Sequence, residues 1–65
     1  MENYYETKGY LLIKAAMNRR YAEANRDTFA RTGGKLGSLY MADVHDACAK
    51  TAQRKADTIK QLLGE

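Results

Sequence analysis

Two helix-periodic stretches of nearly equal length flank one glycine-rich segment, Thr32-Gly33-Gly34-Lys35-Leu36-Gly37-Ser38. This arrangement leaves the chain few choices. Each stretch repeats its apolar residues at helical spacing, no proline interrupts either one, and the glycines between them permit a tight reversal. The expected architecture is all-α: an antiparallel helical hairpin, with helix 1 over about residues 7–31, a hinge at 32–38 and helix 2 over about 39–63. The whole of 1–65 reads as a single domain.

At 100° per residue, Tyr10, Ile13, Met17, Tyr21 and Ala24 fall on one face of helix 1, with Thr28 continuing the line. A second, weaker stripe joins Leu11, Ala15, Ala22 and Phe29. Arg19, Glu23 and Arg26 occupy the remaining face, and Asp27–Arg31 is a favourable (i, i+4) pair. Gly33 suits the C′ position, because glycine alone adopts the left-handed conformation there at no steric cost. Arg31 in the last turn complements the negative end of the helix dipole.

Helix 2 begins after Ser38, a natural N-cap whose hydroxyl takes an orphan amide of the first turn. Met41, Val44, Cys48, Ala52, Ile59 and Leu62 form its stripe, with Thr51 and Lys55 at the margin. Asp43, Asp46, Lys50, Arg54, Asp57 and Gln61 lie opposite, Asp46–Lys50 being oriented as a second pair. The middle of the stripe is small (Cys48, Ala49, Ala52, Ala56), which predicts that the larger Met17 and Tyr21 of helix 1 pack against it. Gly64 ends the helix. Upstream, Asn3 and Glu6 have capping-box spacing, so residues 1–8 read either as a short helix running through Gly9 or as an arm that breaks there.

Composition bounds the function. The net charge is +3, and the basic excess sits in the first half: seven Lys or Arg from Lys8 to Lys35 against Glu23 and Asp27, then four against four from Ser38 onward. That is mildly basic, short of the density of a chain built on phosphate contacts. The longest uncharged apolar run, Tyr10 to Ile13, is far below the roughly 20 residues of a membrane span. Residues 1–6 lack a basic segment followed by an apolar one, so no secretory signal is expected. The single cysteine, Cys48, has no internal disulfide partner, which together with the missing signal implies a cytoplasmic protein.

Nothing in the residues makes a catalytic, cofactor or metal motif. His45 and Cys48 are three apart on one face, but two ligands do not hold zinc, and a catalytic pair needs a third group to orient the imidazole. The hinge resembles a phosphate loop only superficially: a helix precedes it and the spacing GxxxxGK[ST] is missing, so a turn between helices is the simpler reading. A generic anion at the start of helix 2, near Lys35 and Ser38, remains physically allowed.

What remains are surfaces. A lone hairpin buries one stripe per helix and leaves the surplus stripe of helix 1 in water, so a homodimeric four-helix bundle is expected. Its dimer and core residues are Tyr10, Ile13, Met17, Tyr21, Met41, Val44, Cys48, Ile59 and Leu62. Five tyrosines exceed what so small a core needs. Tyr and Arg dominate binding hot spots, so Tyr4, Tyr5, Lys8, Arg19, Arg20, Arg26 and Lys35 form the expected recognition surface for a protein partner. The expected function is a non-enzymatic interaction protein that binds and modulates, by inhibition, a protein partner, of the kind found in phages or mobile elements. The alternative is nucleic-acid or anionic nucleotide binding through the basic face of helix 1.

Overall fold

The computed structural model describes residues 7–64 and consists of two helices packed against each other, with no strand among those residues. α1 runs Lys8–Arg31 and α2 runs Leu39–Leu63. Tyr4, Tyr5 and the Asn3–Glu6 capping box lie outside the described residues. The cap that starts α1 is Thr7: its backbone is extended and its side chain accepts from the Tyr10 amide at 3.2 Å. Gly9 therefore sits inside the first turn of a helix that begins after it has been capped, and α1 does not break there.

The hinge is held by its own backbone. Gly33 has φ +63°, and the Gly34 amide donates to the Phe29 carbonyl at 2.8 Å while that of Gly33 donates to Ala30 at 3.4 Å. These two bonds form a Schellman motif, which closes the orphan carbonyls of the last turn. The Thr32 hydroxyl then ties both ends of the loop, donating to the Thr28 carbonyl and accepting from the Leu36 amide at 2.9 Å. Ser38 caps α2 by accepting from the Met41 amide at 3.0 Å, and its own amide donates to Asn25 Oδ1 of α1 at 3.1 Å.

A seven-residue rhythm governs the contact between the helices. On α1 the inward positions are Leu11, Asn18, Asn25 and Ala15, Ala22, Phe29; on α2 they are His45, Ala52, Ile59 and Ala42, Ala49, Ala56. Every one is buried or half-buried. A repeat of seven keeps one seam facing the partner along the whole length of a helix pair, as in a coiled coil. Polar residues inside the seam pair in antiparallel order: His45 Nδ1 with Asn18 Oδ1 at 2.9 Å, and Ser38 with Asn25. A polar layer of this kind fixes register, because a slip leaves half-buried donors and acceptors unmatched.

The seam corrects the expected packing. The fully buried side chains are Leu11, Ala15 and Ala22 on α1 and Ala42, Ala49, Ala52 and Ala56 on α2. The weaker stripe of α1 thus faces α2, and the stronger stripe does not. Tyr10, Ile13, Met17, Tyr21 and, on α2, Met41 remain between 40% and 62% exposed in the single chain. Cys48 and Leu62 are exposed as well, Val44 is half-buried, and Ile59 alone of that expected set packs onto the buried cluster. The physical reason is distance. Alanine against alanine lets two backbones approach closely along their whole length, whereas Met17 and Tyr21 in the seam would hold them apart.

Candidate interaction surface

The two flanks of the seam differ in chemistry. On one flank, Arg26 reaches across to Asp43, at 3.2 Å, and to Asp46, while Arg19 donates to Gln53 at 3.2 Å and Gln53 to Asp57 at 3.1 Å. The hydrogen bond that Arg26 donates to Asp46, with a smaller contribution from Asp43, raises the Arg26 pKa further above its ordinary value, so its charge persists across the working range. These pairs are exposed and contribute little each, but they align the helices in the same antiparallel sense as the seam. Asp46 was expected to pair with Lys50 along its own helix; its observed hydrogen bond runs to Arg26 instead. Asp27–Arg31 stands at 2.9 Å as the spacing requires.

On the other flank the apolar stripes of both helices emerge together. The Tyr21 ring lies against His45 of α2, centroids 5.3 Å apart and tilted by 47°. Tyr10 and Met17 continue the same side of α1, and Met41, Val44 and Cys48 the same side of α2. Toward the open end of the hairpin this flank deepens into a trough of about 220 Å³, with Leu11 and Ala52 in it, small residues along the α2 wall (Ala47, Cys48, Thr51), and Lys14 and Lys55 beside it. Among the described residues, no carboxylate lines it. The described acids lie elsewhere: Asp43, Asp46 and Asp57 on the polar flank, Glu23 and Asp27 beside Arg26 on α1.

Of the residues expected to form a recognition surface, Tyr4 and Tyr5 lie outside the described residues, and the others are spread over the hairpin. Arg19 and Arg26 are engaged by α2, Arg20 is exposed, Lys35 is in the hinge, and Lys8 is half-buried at the open end near Lys60. Residues missed from the sequence are Lys14, which lines the trough, and Asn18 and Asn25, which hold the seam; Leu11, read as part of the surplus stripe, lines the trough as well. The signal was present: Ala15–Ala22–Phe29 and Ala42–Ala49–Ala56 are both spaced by seven, and the flanks follow once that seam is chosen.

Among the described residues, no group of three or more His, Cys, Asp or Glu side chains is placed to hold a metal ion. In the hinge and the first turn of α2, the amides of Gly33, Gly34, Lys35, Leu36, Ser38 and Met41 donate within the chain. None of the described helices is long and apolar enough to cross a membrane. No protein-family model matches this chain, and no curated protein or solved structure does either.

Proposed function

We propose that this chain is a non-enzymatic interaction protein whose working surface is the apolar flank of the hairpin. In this reading the flank is covered by other helices: by a second copy, giving a dimeric four-helix bundle, or by a protein partner whose activity is thereby modulated. One observation supports it above all. The apolar stripes of α1 and α2 open on the same side and stay about half exposed, while the intrachain core consists of one leucine and six alanines. A core of that size is marginal for a chain this short, and burying the flank is the available remedy.

Sedimentation equilibrium across micromolar concentrations tests the self-association. The expected result is a mass of two chains, with Met17→Glu lowering the association constant by at least about tenfold while helicity by circular dichroism is retained, since full burial of a methionine is worth roughly 1.5–3 kcal/mol and each 1.4 kcal/mol is tenfold. A folded monomer at these concentrations would remove the dimer.

Nucleic-acid or nucleotide binding by the basic face of α1 is the second reading. It rests on the charge excess between Lys8 and Lys35, and it is weakened because Arg26 is clamped by Asp43 and Asp46. It calls for affinity that falls steeply with salt and is lost in an Arg19→Glu, Arg26→Glu double variant.

A further inference from the structure

We propose that His45 and Cys48 of two copies together form a tetrahedral site for a divalent cation of the zinc class, two imidazoles and two thiolates closing the dimer across its two-fold axis. This deepens the self-association reading and rests on it. Three observations carry it.

The first is the ligand pair. His45 and Cys48 are three residues apart on α2, which sets their Cβ atoms roughly 5–6 Å apart on one helix face. Metal sites inside four-helix bundles use the same (i, i+3) spacing, with the facing helices supplying the remaining ligands. Cys48 is exposed, and its thiol is free, on the flank that also carries Ala47 and Thr51. One chain offers two such ligands, and no group of three exists among the described residues, which is too few to hold zinc. Two chains offer four.

The second is the setting of the imidazole. Asn18 Nδ2 donates to the Lys14 carbonyl at 2.9 Å, which turns Oδ1 of the same amide toward His45. His45 Nδ1, 2.9 Å from that oxygen, is therefore the protonated nitrogen of the neutral ring, and Nε2 keeps the lone pair. No buried side-chain nitrogen among the described residues lacks a partner, so Nε2, which has none there, reaches solvent. The Tyr21 ring packs against the imidazole and limits its swing. One nitrogen donating to an oxygen while the other stays open is the arrangement that metal-binding histidines use.

The third is position. His45 stands level with Asn18, near the middle of α1. A two-fold axis at that level lays the two apolar flanks over each other along most of α1, and it brings residues near the axis up against their own copies. Two thiolates cancel the charge of the ion, so the site is neutral where the apolar surfaces close round it. Each thiol gives its proton to solvent as it binds, two per ion, and no electron moves.

The experiment uses the untagged full chain, kept reduced, with zinc and cobalt salts as probes. Calorimetric titration reads the stoichiometry, sedimentation the mass, and the visible absorption of bound Co2+ the coordination geometry. The expected result is one ion per two chains, a tetrahedral cobalt spectrum with thiolate character, and two protons released per ion. Free zinc at about ten times its dissociation constant should raise the association constant about tenfold, because an ion held only by the dimer adds that factor. Cys48→Ser, which leaves the bond between His45 and Asn18 in place, should lose the ion while helicity is retained, and His45→Gln should lose it as well. A dimer that binds no zinc at micromolar concentration overturns the metal site and leaves the interaction reading standing. A monomer that binds none removes both. One ion per chain, or binding unchanged in Cys48→Ser, overturns the shared site.

Discussion

Replacing Gly37 by alanine should damage the hairpin far more than the same change at Gly33, four residues earlier in the same loop. Both positions have a positive φ, +79° and +63°, so each substitution places an alanine in left-handed space at a cost of about 1–2 kcal/mol. Their surroundings then separate them. A Cβ at Gly33 meets nothing within 4 Å, whereas one at Gly37 lies 2.6 Å from the Asn25 carbonyl oxygen and 2.8 Å from the Phe29 nitrogen. Those are backbone atoms of α1, which no rotamer change can move aside. The loop must lift away, and the bond from the Ser38 amide to Asn25 Oδ1 stretches with it. Overpacking of this sort costs about 1–3 kcal/mol and a lost hydrogen bond about 1 more, so the Gly37 variant should lose roughly 3–6 kcal/mol in all. Stability near 0.05–0.15 kcal/mol per residue leaves a chain of this length only about 3–10 kcal/mol to lose. The assay is urea unfolding followed by circular dichroism, with all variants at one protein concentration because association shifts the midpoint. Gly33→Ala should remain folded with a midpoint lowered modestly, and Gly37→Ala should be largely unfolded without denaturant. Equal losses at the two positions would refute the close approach of the loop to α1.

Two further outcomes follow from the seam. Ala49→Leu inserts three extra carbon atoms where the helices are closest, so it should destabilise by about 1–3 kcal/mol in urea melts although leucine is an excellent helix former; a stabilised variant would show that the seam has slack. Asn25→Ala removes the acceptor of the Ser38 amide and a donor to the Tyr21 carbonyl, and should cost about 1 kcal/mol with fraying of the first turn of α2, read by amide hydrogen exchange of residues 39–42.

The elements and their ends were legible in the chain because the forces that set them are local. Gly33 ends α1 since the position after the cap needs a left-handed φ, and Ser38 starts α2 since its hydroxyl reaches an amide three residues on; neither depends on anything distant in sequence. Even so, the cap of α1 is Thr7, and Arg19 and Arg26, which periodicity placed on the face left over by the two apolar stripes, bridge to α2. The interaction flank was legible only in part. Tyr10, Met17, Tyr21, Met41, Val44 and Cys48 were recognised as apolar stripes, but they were assigned to the space between the helices.

That assignment is what the tertiary structure decided. Periodicity by itself shows that α1 has two apolar stripes and says nothing about which one turns inward. Ranking them by size favours the tyrosines and methionines. Packing inverted the ranking, because the free energy of joining two helices depends on how closely their backbones approach along their full length. A line of alanines repeating every seven residues permits that approach on both helices at once. The sequence alone determined two helices, their caps and the glycine reversal, all of them matters of local backbone chemistry. The rotation of each helix about its own axis, and with it the exposure of the large side chains beside Lys14 and Lys55, depends on how two surfaces fit, which becomes defined only once both are in contact.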